Sequence, residues 1–220
     1  MRLRDVLRIS ERRQRQASRS MNAVLVGVFV LGVVYGSATI VVNAAVALLV
    51  AELPAILERD YQIPLDAGLS LWLTSAVFFH AVGVLGIPGS GTNFYGSLWW
   101  WDHFTHALSA SVVAGVGYAT TRALDAHSED VALPPRFTFV FILLFVIAFG
   151  VLWEVLEFAV GELAHLAGHR TLLTQYGLDD TMLDLVFDTV GAIVVAAWGG
   201  AYLSGVTDAL TERLAARGMG

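Results

Sequence analysis

Residues 21–57 read MNAVLVGVFVLGVVYGSATIVVNAAVALLVAELPAIL, and this apolar stretch decides how often the chain crosses a membrane. A membrane-spanning helix needs about 20 apolar residues. The stretch is therefore too long for one ordinary helix and barely long enough for two. If it forms one helix, the whole chain has five spans. If it turns near Tyr35-Gly36-Ser37, the chain has six.

The composition of the whole chain predicts an all-α, polytopic membrane protein. Of the 220 residues, 56% are hydrophobic and 15% are charged, and the mean hydropathy is +0.67. Soluble domains usually carry about 25% charged residues. Beyond the stretch at 21–57, we expect four further spans at about 69–87, 99–121, 137–160 and 183–203. The predicted fold is a transmembrane helix bundle.

The arginines favour six spans over five. All 13 basic residues are arginine, and seven of them lie in the first twenty positions. With five spans, eight arginines share the side of the N-terminal arm and five lie opposite. With six spans, twelve share that side and only Arg170 lies opposite. Basic residues concentrate in cytoplasmic loops. We therefore predict six spans with both termini cytoplasmic, as an arm (1–20), a bundle (21–205) and a tail (206–220) of a multi-pass plasma (inner) membrane protein.

Several classes of site and partner are excluded or disfavoured. The chain has no cysteine, which rules out disulfides and thiolate metal ligands. The arginine-rich arm could suggest nucleic-acid binding, but an apolar span follows it at once. We interpret the arm as a membrane-side anchor and expect no nucleic-acid partner. Gly32 and Gly36 form a G-x-x-x-G pair, a pattern that lets membrane helices approach closely and suggests a homodimer.

The ionisable residues of the last three spans all fall at one end of the predicted bundle. Asp102 and His106 begin span four, Glu154 and Glu157 end span five, and Asp180, Asp184 and Asp188 lie at the start of span six. The spacings within these sets are three or four residues. Each set therefore projects from one face of its helix. Three helices that each contribute two oxygen or nitrogen atoms match the way helix bundles hold metal ions.

Physical chemistry gives this constellation a reason to bind a cation. A carboxylate in the hydrocarbon region is costly unless it is paired, hydrated or bound to a cation. We predict a divalent metal (manganese, iron or zinc) and one set of six ligands: Asp102, His106, Glu154, Glu157, Asp180 and Asp184. His80 and His103 are further candidates. Glu157 or Asp188 could act as a general base.

Simpler interpretations exist for some of these residues. Asp102 and Asp180 could serve only as helix N-caps or as favourable charges in a first helical turn. Glu154 and Glu157 have no such explanation, because the helix dipole disfavours acids at a C-terminus. His103 is expected to point away from His106. The aromatic residues before and at the start of span four predict an interfacial belt: Phe94, Tyr95 and Trp99–Trp101.

The polar motifs resemble those of the YjdF-like family of uncharacterised bacterial and archaeal inner-membrane proteins. The similar stretches are WDHFTHALSAS, WEVLEF, LDDTMLDLVFDTVGA and FFHAVGVLG. A more distant likeness is to VanZ-like proteins. The resemblance implies a site at Asp102, His106, Glu154, Glu157, Asp180 and Asp184. It implies no reaction, because the family has no established activity.

Three functional hypotheses remain open at this stage. The first is a metal-dependent enzyme that acts on a lipid or isoprenoid phosphate at the membrane surface. The second is a cation-coupled or proton-coupled transporter. The third is a structural membrane protein in which a polar knot locks the bundle. The nearly pure apolar composition of the opposite halves of spans four to six argues against a path for ions across the membrane.

Overall fold

The computed structural model of the chain describes residues 9–87, 89, 91–128, 130, 132–168, 171–173 and 175–216. Within these ranges the chain forms nine α-helices, and the sole β feature is an isolated bridge between Gly86 and Asn93. The helices are α1 (Glu11–Val34), α2 (Ala38–Ala51), α3 (Leu53–Tyr61), α4 (Ala67–Gly83), α5 (Phe94–Ser97), α6 (Trp99–His127), α7 (Pro135–Leu166), α8 (Leu178–Tyr202) and α9 (Ser204–Ala216). The all-α prediction is confirmed.

The apolar stretch at 21–57 is divided by a turn at the expected place. Gly36 adopts a left-handed conformation with φ of 64°, and the Ser37 side chain caps α2 by accepting the N–H of Ile40. A Cβ on Gly32 would lie 2.9 Å from the Val41 nitrogen. Both glycines therefore serve the α1–α2 hairpin. They no longer argue for a dimer.

The surface and the helix lengths identify a membrane protein. Four helical stretches are long and apolar enough to span a bilayer: Glu11–Val34, Ala38–Tyr61, Pro135–Leu166 and Leu178–Gly200. Helix α4 is also apolar, but with 17 residues it is shorter than these four stretches. Large apolar side chains such as Leu49 (70% exposed) and Leu144 (61%) cover the outside, as expected where lipid replaces water.

The predicted count of six spans and the cytoplasmic location of both termini stay predictions. Arg170 and Arg217, on which the charge argument also depends, lie outside the described residues. The second half of the arginine-rich arm is helical and continuous with α1. The tail folds back as α9, which packs against α6. At its end the Arg213 guanidinium donates to the Tyr61 carbonyl and lies over the Tyr61 ring.

The interior is organised around two groups of helices. In the first group, Leu25 of α1, Ala47 of α2 and Ala81 of α4 pack together. The second group joins α6, α7 and α8 through a core of mostly small side chains: Ala110, Ala114, Ile142, Val146, Ala192 and Val195. Small residues let the backbones approach closely, which is how membrane helices gain packing energy. Helices α6 and α8, which carry most of the ionisable residues, are the most tightly paired.

We expect Gly191→Ala to destabilise the protein at the α6–α8 crossing. A Cβ on Gly191 would lie 2.2 Å from the Ala107 carbonyl oxygen and 3.0 Å from the Ser111 nitrogen. These are backbone atoms that cannot rotate away, so the helices must separate. Overpacking of this kind costs about 1–3 kcal/mol. Thermal unfolding in detergent, followed by tryptophan fluorescence, should show a lower midpoint than the wild type.

Gly161→Ala is the matched control for this substitution. Gly161 lies inside α7, and a Cβ there would meet nothing within 4 Å. Alanine is more favourable than glycine within a helix by roughly 0.5–1 kcal/mol, so this variant should unfold at or slightly above the wild-type midpoint. Equal midpoints for Gly191→Ala and the wild type would contradict the close crossing.

Candidate functional site

The starts of α6 and α8 bring three of the predicted metal ligands into one compact group. One ligand atom each from Asp102, His106 and Asp184 lies within 4.8 Å of the other two. Asp184 is 1% exposed, while Asp102 and His106 are half-buried. The sequence therefore predicted the helix faces that meet here.

His106 occupies the centre of the group, and its two ring nitrogens have different surroundings. Nδ1 lies 3.2 Å from Oδ1 of Asp188, within hydrogen-bond distance. Nε2 lies 3.7 Å from Oδ1 of Asp102 and 3.8 Å from Oδ2 of Asp184. A carboxylate that accepts from one ring nitrogen orients the imidazole and leaves the other nitrogen to face a metal. Asp188 therefore lies at Nδ1, while Asp102 and Asp184 lie at Nε2.

Glu154 reaches the same end of the bundle from α7, but its partners are residues that the sequence motifs did not indicate. Its Oε2 accepts hydrogen bonds from Thr181 Oγ1 at 2.7 Å and Gln175 Nε2 at 3.3 Å. Gln175 also donates to Thr181 at 2.9 Å. The other oxygen, Oε1, has no hydrogen-bond partner among the described residues, although Glu154 is only 5% exposed. A buried acceptor without a donor is costly.

The remaining predicted acids surround the compact group without joining it. Glu157 is 9% exposed and lies one turn beyond Glu154 on α7. Asp180 accepts the backbone N–H of Tyr176 at 3.0 Å and so fixes the loop before α8. Neither Asp102 nor Asp180 is an N-cap, because the capping positions are Leu98 and Gly177. The capping interpretation is wrong for both, but each lies in the first turn of its helix, as the interpretation as a favourable charge requires.

His103 does not turn away from the site as expected. Its ring stacks on Phe187 with a centroid distance of 4.6 Å, and its Nδ1 lies 3.7 Å from Oδ1 of Asp184. Neither of these two atoms has a hydrogen-bond partner in the described part of the chain. The tight pairing of α6 with α8 accounts for the difference, because it brings Phe187 over the face of α6 that carries His103.

The aromatic residues of the predicted belt differ widely in exposure. Trp99 is 79% exposed, but Trp101 is 7% exposed and donates to the Phe79 carbonyl. The Tyr95 hydroxyl lies 3.0 Å from Nδ1 of His80. A Cβ on Gly83 would lie 2.3 Å from the Tyr95 ring. The missing side chain at Gly83 thus lets α5 fold inward, and it makes Tyr95 part of the site's surroundings.

Burial and the negative charge of the site raise the pKa values of two tyrosines that lie outside the spans. Burial, followed by the negative charge of Asp102, raises the pKa of Tyr95. Burial also raises the pKa of Tyr176, and Asp102 and Asp180 add to the shift. Both hydroxyls therefore remain protonated at neutral pH and can donate hydrogen bonds at the mouth of the site.

The acids of the site are not neutralised by arginine in the described part of the chain. The ion pairs that arginine forms there are Arg15–Glu11, Arg59–Asp60 and Arg122–Asp125. All of them lie elsewhere, so the buried carboxylates face one another and the histidines. His165, in the last turn of α7, is exposed. His169 lies outside the described residues.

Comparisons with known proteins identify a family but give no activity. Residues 17–205 match the family described as predicted membrane protein (DUF2238). An uncharacterised protein of Thermotoga maritima is 32% identical over 143 residues, which cover 65% of this chain and 67% of that protein. No solved structure matches the chain. The likeness to VanZ-like proteins stays a prediction. Because the family match covers most of the chain, the protein belongs to the DUF2238 family of predicted membrane proteins.

Proposed function

We propose that Asp102, His106 and Asp184 bind one divalent metal ion in a membrane-embedded enzyme that hydrolyses lipid phosphates. The observation that carries the proposal is the orientation of His106. Nδ1 lies within hydrogen-bond distance of Asp188, and when it donates there a neutral imidazole directs the lone pair of Nε2 at two carboxylate oxygens 3.7 and 3.8 Å away. Three acceptors that face one another repel unless a cation lies between them.

The distances and donor types fit such an ion. Metal–nitrogen and metal–oxygen bonds of about 2.1 Å place two ligands of one ion at most about 4.2 Å apart. Both distances from Nε2 of His106 lie below that limit. Carboxylate-rich ligation with one imidazole favours manganese or iron, and zinc also accepts it. Glu154, with one unpartnered buried oxygen, can shift to complete the coordination.

The surroundings support hydrolysis of a phosphate ester. The metal would polarise a phosphoryl oxygen. Glu157 takes a proton from water as the water oxygen attacks phosphorus. The bond from phosphorus to the lipid oxygen breaks, and that oxygen leaves as an alcohol by taking the proton that Glu157 accepted from water. In the predicted six-span topology, the site would lie at the outer end of the bundle in the plasma membrane, at the depth of the lipid headgroups. The substrate would enter from the lipid bilayer.

A structural knot is the second candidate, and a specific observation favours it. A protonated His106 would meet carboxylate oxygens of Asp188, Asp102 and Asp184 at 3.2, 3.7 and 3.8 Å. Such an imidazolium would lock α6 to α8 without a metal. The two functions differ in metal content and in what happens when one carboxylate becomes an amide.

Elemental analysis of the purified protein tests the proposal. Wild-type protein in detergent should carry about one equivalent of manganese, iron or zinc, and Asp184→Asn should lose it while keeping its monodispersity. Asp179→Asn is the matched control, because Asp179 neighbours the site on α8 but is exposed. A folded wild type that holds no metal, even after incubation with Mn²⁺, would overturn the metal site and leave the structural knot and a protonated relay as the alternatives.

A further inference from the structure

A cavity of about 570 Å³ opens beside the candidate metal site. Its walls come from α2, α4, α6 and α7, with Leu172 and Leu173 of the loop before α8 and Asp188 of α8 itself. His106 and Asp188 form part of its lining, so the cavity and the site are continuous. Its volume falls in the range of small-molecule pockets, about 300–1,000 Å³.

Polarity changes with depth along the cavity. The hydrogen-bonding side chains of the lining, among them His80, His106 and Asp188, lie towards the metal-site end, beside the apolar side chains of Val160, Leu172 and Leu173. Further from the site the lining is apolar: Val50, Leu73, Ala76, Val77, Val113 and Val146. From His106 to Val113 along α6 the cavity wall extends about 10 Å at 1.5 Å per residue. The cavity therefore suits a ligand with a polar head and a hydrocarbon tail.

The rim of the cavity faces the lipid. Val46 of α2 is 53% exposed and Phe149 of α7 is 45% exposed, and both line the cavity. The loop at its polar end is tied to α2, because Asn43 donates to the Leu172 carbonyl at 3.2 Å and Thr39 donates to the Thr171 carbonyl at 3.0 Å. A hydrocarbon tail can therefore enter the cavity from the bilayer, while the loop before α8 stays fixed beside the headgroup.

We propose that the cavity holds the one hydrocarbon chain of a single-chain lipid monophosphate, with the phosphate at the metal. This inference rests on the proposed function, since an anionic head cannot approach the carboxylates without a cation. The size of the cavity decides between one chain and two, because 570 Å³ does not accommodate both tails of a diacyl lipid of ordinary length.

Binding of farnesyl phosphate to Mn²⁺-loaded protein in nanodiscs tests the cavity. Val46→Trp fills the rim and should weaken binding at least tenfold, as should Val50→Trp at the deeper end. Leu49→Trp is the matched control, because Leu49 lies on α2, is 70% exposed and does not line the cavity. Dodecyl phosphate should compete with farnesyl phosphate, and dipalmitoyl phosphatidic acid should compete at least tenfold less well.

Binding measured with and without metal, beside the metal content of each sample, separates the cavity proposal from the metal-site proposal. Equal binding by Val46→Trp, Val50→Trp and the wild type in metal-loaded protein would overturn the cavity assignment and leave the metal site standing. Equal competition by phosphatidic acid would overturn the restriction to one chain. If the wild type binds farnesyl phosphate without metal and Val46→Trp weakens that binding, the cavity is supported and the proposed metal chemistry is wrong.

Discussion

Glu157→Gln is expected to lower the rate of phosphate release from farnesyl phosphate by a factor of about 10²–10⁴, the usual contribution of a general base. The amide keeps the size and most of the hydrogen bonding of the acid but cannot accept a proton from water. Glu157 is buried at the site end of α7 and lies outside the compact ligand group. The variant should therefore keep the wild-type metal content. Single-turnover phosphate release at saturating substrate, beside elemental analysis, measures both quantities.

Glu162→Gln controls for the loss of a negative charge on the same helix, because Glu162 is exposed. It should turn over at the wild-type rate. If Glu157→Gln loses metal together with activity, Glu157 is a ligand, as the sequence motifs also allowed. If its turnover is unchanged, another group accepts the proton. Asp188 is the next candidate, although its contact with His106 favours a positioning role.

The elements of the fold could be predicted because apolar length is a strong signal. Predicted spans at 99–121 and 137–160 lie within Trp99–His127 and Pro135–Leu166, whose extra turns are too polar for a hydropathy argument to include. The hairpin turn was predictable from glycine and serine between two apolar stretches. The break between α2 and α3 was not predicted, and it occurs where Pro54 enters the first turn of the second helix.

The candidate site was predictable only up to the choice of helix faces. Spacing of three or four residues placed Asp102 with His106 and Asp184 with Asp188. It could not give the rotation of one helix against another, which makes Asp188 the partner of Nδ1 and leaves Asp102 and Asp184 at Nε2. Gln175 lies in a loop without periodicity, so no pattern predicts its contact with Glu154.

The inward position of Tyr95 and the cavity could not be predicted from the sequence either, because both depend on how helices pack against one another. An aromatic residue before a span is typical of a membrane interface, and only the space left by Gly83 turns Tyr95 inward. The cavity depends on four helices whose small and β-branched residues leave a gap. No single segment encodes such a gap. The sequence does encode where a side chain is absent. Glycines within helices therefore indicate the positions at which another element can approach closely.

Gly150→Ala is expected to weaken metal binding by a factor of about 10–100, the usual effect of disturbing a partner of a metal-bound histidine. A Cβ at Gly150 would lie 2.4 Å from Oδ2 of Asp188 and 3.0 Å from Cδ2 of Leu185. Asp188 is 6% exposed, so its carboxylate can make room for the new methyl group only by moving into the cavity that it lines. Its carboxylate would leave Nδ1 of His106, and Nε2 would lose its orientation. Titration of metal-free protein with Mn²⁺ against a chelator measures the affinity.

A double-mutant cycle assigns this effect to Asp188. Asp188→Ala alone removes the hydrogen bond to His106 and should weaken Mn²⁺ binding to a similar extent. In that background Gly150→Ala no longer meets a carboxylate and should cost little more, so the two losses should not add. Gly161→Ala, on the same helix in open space, should bind Mn²⁺ like the wild type. Full additivity would mean that the new methyl group acts through Leu185 and not through Asp188.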